Sequence, residues 1–439
     1  MVMSFVLLQI FSVTLISVTR SENCFRNSDH EQCNFGVHTP YRFIANYNES
    51  KFVYPGCTEK KIWMMVRHGT RNPGRKFVEP MTKHLPEIQS KIIENFEIGN
   101  GHLSSIVVEK LRKWKISLKE DDAMKLVDEG ENELIDLAER MQARFPTILK
   151  EDYDEKSFKF KYTNTSRTEL SARSFTLGLF GQSDSSKILF PKPRDDDPVL
   201  RFYKRCPRWL KYKKGSEVLK ERDLFNQSQV VQNVVSDISE KIGFKINLDD
   251  AWLMYLMCAF ETAWTPNIRS PWCDLFTLKD LKVLEFMDEL KYYWTDGYGY
   301  QLNYEQACPA LKDMFQFFDS PGEPIVTTYF SHSGTILKML SILGIVKDDK
   351  PLTSDSFSLE KNSRKWRTAL IDSFASNIAF VLYECEKQGS SILVLHQERP
   401  IRIPGCPSEV PCPMKMMKDN LPDSEQECPF DHMCAINSS

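Results

Sequence analysis

The sequence has no Cys-x-x-Cys pair, no internal repeat, no low-complexity tract and a net charge of only -3. The first absence removes the usual spacing of zinc and redox sites. The second and third leave no solenoid, fibre or obvious linker to account for. The small net charge gives no global attraction to nucleic acid, so any anion binding must come from local clusters. Beyond the first twenty residues no apolar run reaches the roughly 18 residues of a membrane span, so no stable span is expected once a leader is removed. A KDEL-type retention signal is missing as well: the sequence ends in Ile-Asn-Ser-Ser.

What is present points to export. Phe5 to Val18 is almost wholly apolar and is followed by Thr19-Arg20-Ser21-Glu22, although no Lys or Arg precedes it. That length suits the apolar region of a signal peptide, expected over residues 1–21. The 12 cysteines are an even number, which in an exported chain predicts a disulfide framework. Asn48, Asn164, Asn226 and Asn437 each open an Asn-x-Ser/Thr glycan acceptor. The expected location is secreted, in the secretory pathway or at the cell surface.

Hydrophobic periodicity sets the organisation. Lys61-Ile62-Trp63-Met64-Met65-Val66 is a short apolar run that stops at polar, Gly-containing sequence, as a buried strand does. From Asp121 to Phe145 the period is helical, with Leu134, Leu137, Ala138 and Met141 on one face and Pro146 after the stop. Leu248 to Phe260 and Leu278 to Trp294 also read as helices. Ile325 to Phe330 is β-branched and aromatic, hence a strand, and Ile336 to Leu343 a helix closed by Gly344. Asn377–Tyr383 and Ser391–Leu395 look like paired strands. Strands at both ends around a helix-rich middle predict an α/β domain carrying a mainly helical insertion.

The chemistry concentrates at Arg67-His68-Gly69-Thr70-Arg71-Asn72-Pro73, directly after the first strand. Arginine forks match phosphate oxygens, so this segment is suited to hold a phosphoryl group. A neutral imidazole among such cations can attack phosphorus and form a covalent intermediate, while the cations stabilise the equatorial oxygens. Arg167 lies in Thr165-Ser166-Arg167-Thr168-Glu169, entering an apolar run; alone it reads as a solvated helix start. His332 sits in Phe330-Ser331-His332-Ser333-Gly334-Thr335, where a strand opens onto a helix whose free N–H groups favour an anion. A lone strand-end histidine is more often structural than catalytic, but the first motif is long and its context fits.

The segment from Arg67 to Pro73 resembles the signature of the histidine acid phosphatases. Gly130-Glu131-Asn132-Glu133-Leu134 resembles the helix after that motif. Ser270 to Phe276, Tyr293 to Tyr300, and His332 to Thr335 with its Leu-rich helix are similar to the multiple inositol polyphosphate phosphatase branch. The resemblance covers roughly residues 35–400. It implies a twisted, mainly parallel sheet flanked by helices, with a mainly helical lobe inserted over the cleft. The α/β core would comprise about 35–75, 155–200 and 320–400, and the lobe about 76–150 and 200–315. It implies His68 as nucleophile, Arg67, Arg71 and Arg167 as phosphate ligands, and His332 as a catalytic residue and further phosphate ligand. It implies stepwise dephosphorylation of inositol hexakisphosphate and lower inositol phosphates, with 2,3-bisphosphoglycerate as a second substrate, and no metal or other cofactor. The expected partner is thus a small phosphorylated substrate.

One departure matters. The family's third motif follows its His with Asp or with Ala-Glu, and that carboxylate protonates the leaving oxygen. Here those two positions are Ser333 and Gly334. Positioned acid catalysis is typically worth about 10²–10⁴-fold, so another acid is needed; Asp319 and Glu323 are the nearest in sequence. A broad-specificity acid phosphatase and a catalytically weak phosphate-binding protein remain as alternatives. Two further basic features stand near the motifs. Arg75 and Lys76 follow the nucleophile loop and are candidates to touch substrate. Seven cations fall within Arg201 to Lys214, either a polyanion patch or a solvated helix face.

Overall fold

The computed structural model describes residues 23–358, 364–407, 411–424 and 426–436; the expected leader and Asn437 lie outside them. Seven strands form one mixed sheet: β1 (Cys57–Arg67), β2 (Phe158–Tyr162), β3 (Val326–Ser331), β4 (Asn377–Cys385), β5 (Gly389–His396), β6 (Arg399–Pro400) and β7 (Cys412–Pro413). Their order is β2-β3-β1-β4-β5-β6, with β7 also on β5. β2 and β1 each pair with β3 in parallel, and β4 and β5 close the sheet as an antiparallel hairpin beside β1. Four strands (β1, β2, β3 and β5) therefore point one way, as the resemblance implied.

Alternation along the strands divides the core in two. Met64, Val66, Phe330 and Val381 face one way, against Leu134, Leu137, Met141 and Phe175. Trp63, Met65, Tyr329 and Phe380 face the other way, against a larger cluster that includes Leu256, Phe286, Met314 and Leu337. Both faces are covered, which is why the central strands read as unbroken apolar runs rather than as alternating ones.

The helices that matter for the site are α1 (Asp128–Arg144), α2 (Ser166–Ser185), α3 (Leu278–Asp296) and α4 (Ser333–Ile342). The N-terminus of α3 is fixed by a reciprocal cap: Thr277 accepts from Asp280 N, and Asp280 accepts from Thr277 N at 2.7 Å. One boundary differs from expectation. Residues 76–150 were expected in the helical lobe, yet α1 packs on the sheet beside α2, its apolar face sharing a core with Met64 and Val66. Periodicity marks a buried helix face but not the layer that buries it. Six disulfides use all twelve cysteines: Cys24–Cys33, Cys57–Cys385, Cys206–Cys434, Cys258–Cys273, Cys308–Cys428 and Cys406–Cys412. Among the described residues no helix is long and apolar enough to cross a membrane.

Candidate active site

Parallel pairing brings three chain segments to one edge of the sheet. Because β1, β2 and β3 run together, their carboxyl ends deliver His68, Thr163 and His332 side by side. His68 N donates to Ser331 O at 3.1 Å and Thr163 N to Phe330 O at 3.1 Å, which locks the three strand ends together. The antiparallel β4 begins at the same edge, so the loop before it, Asp372 to Ser376, closes over His68; Ala375 N donates to His68 O at 3.1 Å.

The turn after His68 is held from α1. A Cβ on Gly69 would stand 2.2 Å from Gly130 O, and one on Gly130 would stand 2.1 Å from Thr70 O. Two glycines are therefore required for the helix start to touch the loop. Glu133, one turn on, accepts from Thr70 N at 2.7 Å and from Thr70 Oγ1 at 3.0 Å. The buried His68 ring then places Nδ1 2.9 Å from Gly69 O. A carbonyl only accepts, so Nδ1 carries the proton and Nε2 keeps the lone pair. Burial holds the imidazole well below the usual histidine range, reinforced by Arg167, Arg67, Arg71 and His332. His68 is thus a neutral ring with a free nitrogen, the form a nucleophile needs.

The cations surround it. Arg67 closes β1, Arg71 follows the turn, and Arg167 sits in the first turn of α2. Arg167 Nη2 donates to His332 Nδ1 at 3.2 Å, and His332 Nε2 lies 2.9 Å from Thr163 Oγ1 and 3.1 Å from Arg201 Nη2. The His68 and His332 rings are 5.6 Å apart. Burial, with Arg67 and Arg167, brings Arg71 down to about 9. Burial and Arg201 bring Arg167 down to about 10. Neither Arg71, Arg167 nor Arg201 has a carboxylate partner among the described residues. Unpaired charge taken out of water is costly, and an anion between these side chains would offset that cost. The N-terminus of α4, whose first N–H groups lack helical partners, opens at the same place.

The structure brings together Arg67, His68, Arg71, Arg167 and His332, five residues from three distant motifs. It separates others. Asp319 ends the helix Cys308–Asp319 and pairs with Lys418 at 2.7 Å, while Glu323 accepts from Ser157 at 3.3 Å before β3 begins. Both lie at the opposite end of a six-residue strand from His332, about 20 Å at 3.3 Å per residue, and neither reaches the site. Arg75 is exposed and turned to Glu120 at 2.7 Å. Lys76, by contrast, lines a cavity of about 280 Å³ together with Arg71, Arg222, Lys291 and Tyr292.

Three site residues escape the motif reading. Arg201 belongs to the basic stretch 201–214, but it alone turns inward to His332; Lys204, Arg205, Arg208, Lys211, Lys213 and Lys214 stay exposed. The singular signal was the apolar spacing around it, Leu200 and Phe202 being buried. Asp372 accepts from Arg67 Nη1 at its backbone carbonyl at 2.5 Å, and its carboxylate accepts from Ser333 Oγ. Asp296, at the end of α3, pairs with Lys338 at 2.8 Å and lies 3.0 Å from where a Cβ on Gly334 would be. Asp296 falls within the Tyr293–Tyr300 segment but is not singled out there, and no local pattern marks Asp372; the fold carries both acids to α4.

The comparisons agree with this geometry. Residues 60–397 match the model of the histidine phosphatase superfamily (branch 2). Multiple inositol polyphosphate phosphatase 1 of Drosophila melanogaster is 32% identical over 395 residues, covering 86% of this chain and 83% of that protein. The Homo sapiens protein of the same name is 28% identical, covering 80% and 77%. Among solved structures, the phytase from D. castellii superposes with a TM-score of 0.76 at 16% identity over 93% of this chain and 89% of that one. A Bifidobacterium longum multiple inositol polyphosphate phosphatase, solved with inositol hexasulfate, gives 0.63 at 13% identity over 85% and 94%. The two structures share the fold, and the chain belongs to branch 2 of the histidine phosphatase superfamily.

Proposed function

We propose that this protein is a phosphomonoesterase that removes phosphates from inositol polyphosphates by way of a phosphohistidine at His68. The observation that carries the reading is a buried, neutral His68 with a free Nε2, set among Arg67, Arg71 and Arg167, with Arg201 on the neighbouring His332. A phosphoryl group bound to the guanidiniums and to the start of α4 presents its phosphorus to Nε2. The P–N bond forms as the P–O bond to the leaving oxygen breaks, and the arginines take up charge on the equatorial oxygens. His332, held by Thr163 and Arg167, serves as a further phosphate ligand.

A polyphosphate rather than a simple monoester is supported by the adjoining cavity. Arg71 belongs to both, and Lys76, Arg222 and Lys291 add three cations on walls away from His68. A substrate with several phosphates can use them; an aryl monoester cannot. The multiple inositol polyphosphate phosphatases among its relatives point the same way. The test compares phosphate release from inositol hexakisphosphate, 2,3-bisphosphoglycerate and p-nitrophenyl phosphate. Inositol hexakisphosphate should show the highest kcat/KM, and His68→Ala should abolish both turnover and acid-labile label on the protein. Label retained in that variant rules out His68.

The same reading takes the protein to be exported and glycosylated. It is supported by six disulfides and by the apolar leader in the sequence. Expression in eukaryotic cells should place glycosylated protein in the medium.

A further inference from the structure

An alkoxide leaving from an inositol ring needs a proton, and neither Ser333 nor Gly334 can give one. The described residues offer three buried carboxyl groups around the nucleophile loop and the start of α4. Glu133 is committed, with both oxygens accepting hydrogen bonds from Tyr41 and Thr70. Asp296 is held by Lys338 at 2.8 Å. Asp372 differs from both: Oδ2 accepts from Ser333 Oγ, and Oδ1 is buried without a hydrogen-bond partner.

We infer that Asp372 is the acid that protonates the leaving oxygen, delivered from the loop before β4 to the place where Ser333 carries none. Five contacts fix it there. Arg67 Nη1 binds its backbone carbonyl at 2.5 Å and stands 3.7 Å from Oδ2. Ser333 Oγ binds Oδ2, so the carboxyl lies one hydrogen bond from the first residue of α4. Arg67 also stacks over Phe374 at 4.8 Å, and Ala375 N binds His68 O, which ties the same loop to the nucleophile. A carboxyl in this position touches the guanidinium that holds the phosphoryl group, with its free oxygen uncommitted.

The surroundings suit the role. Burial raises the carboxyl to about 7, against the pull of Arg67 and the Ser333 hydroxyl and with a further push from Asp296. Tyr292 on α3 faces the same pair, since both Arg67 and Asp372 act on its hydroxyl. Below about pH 7 the group is therefore a neutral acid beside a neutral imidazole. In the first step His68 Nε2 bonds to phosphorus, the P–O bond breaks, and the proton on Asp372 passes to the departing oxygen. In the second, water oxygen bonds to phosphorus as the P–N bond breaks, Asp372 carboxylate accepts a proton from that water, and phosphate leaves with the imidazole restored. Atoms and protons balance with no further reactant.

The inference rests on the phosphohistidine reading, and the test separates the two. Single-turnover phosphoryl transfer to His68 is measured with an inositol phosphate, whose alkoxide is a poor leaving group, and with p-nitrophenyl phosphate, whose phenolate is a good one. Asp372→Asn should slow transfer from the inositol phosphate by about 10²–10⁴-fold, the usual worth of a positioned acid. The burst of p-nitrophenol should change by less than about tenfold, because that leaving group needs little protonation. An equal fall on both substrates makes Asp372 structural and overturns the inference. No fall on either also overturns it, as does a leaving-group-selective loss in Asp296→Asn with none in Asp372→Asn. Should Asp372→Asn fail to fold, the paired change Ser333→Asp with Asp372→Ser moves the carboxyl one hydrogen bond along. Selective turnover of the inositol phosphate kept in that protein supports the assignment, and its loss with the p-nitrophenol burst intact overturns it. Absence of labelled His68 in the unmodified protein instead defeats the nucleophile reading.

Discussion

Single residues decide the pH response, because the proposed nucleophile and the inferred acid are displaced in opposite directions. Burial and Arg167 hold His68 well below 6.5, so the ring stays neutral far into the acid range. Burial raises Asp372 to about 7, so its proton is present below that value and lost above it. For inositol phosphates, the single-turnover rate of phosphoryl transfer to His68 should therefore be level on the acid side and fall about tenfold per unit above roughly pH 7. For p-nitrophenyl phosphate the alkaline fall in the burst should be weak or missing. A pH profile that is the same for both substrates would leave Asp372 without its role.

Arg201 is the second residue-scale case. It shows how far the sequence could be read. Motifs named Arg67, His68, Arg71, Arg167 and His332, since each stands beside a strand or helix end where anion sites form. Arg201 was visible only as one of seven cations in a stretch, and nothing local said that it alone turns inward. Asp372 was not visible at all, lying 304 residues from His68 in the chain and meeting it only through β1–β4 pairing. Arg201→Met should weaken competitive inhibition by inorganic phosphate about 10–100-fold, as loss of a charge-assisted hydrogen bond worth about 1.5–3 kcal/mol implies. Arg201→Lys should recover only part, because a point charge cannot reproduce the fork. Unchanged inhibition in Arg201→Met would place that side chain outside the phosphate site.

At the scale of elements, the contact between the His68 turn and the start of α1 is the tightest constraint in the site. Sequence periodicity gave α1 its length and its buried face but assigned it to the wrong layer, since an amphipathic pattern does not name the surface it meets. The two glycines supply what the pattern could not. With a Cβ 2.1 Å from Thr70 O, Gly130→Ala must push the helix off the nucleophile loop. Overpacking of this kind costs about 1–3 kcal/mol, and thermal unfolding should show a Tm lower by several degrees. Turnover should fall on alkyl and aryl substrates alike, since His68 itself is displaced. The position of α4 makes a contrasting case. Restoring a carboxylate by Gly334→Glu would thrust its Cβ to 3.0 Å from Asp296 Oδ1 and set two acids together, so that substitution should impair rather than rescue.

For the whole molecule, the disulfides and the glycan acceptors bear on the same question of where the protein matures. Cys57–Cys385 joins the first and fourth strands across 328 residues, and Cys206–Cys434 ties the basic stretch to the chain's last helix. With every cysteine paired, thiol titration under denaturing conditions should find none free, and reduction should lower Tm. The acceptors can be ranked by what surrounds them. Asn48 is exposed in a loop and should carry a glycan. Asn164 is exposed too, but its Nδ2, the atom a glycan would occupy, donates to Asp195 at 3.1 Å, and Arg167 is three residues away. Asn226 is half-buried and lines the same cavity as Lys76, Arg222 and Lys291. A glycan at Asn226 would fill the space that the further phosphates of a polyphosphate need, whereas one at Asn48 lies clear of it. Glycopeptide mapping of secreted, active protein should therefore find Asn48 occupied and Asn226 bare. Full occupancy of Asn226 in protein that still prefers inositol hexakisphosphate would show that this cavity is not where those phosphates bind.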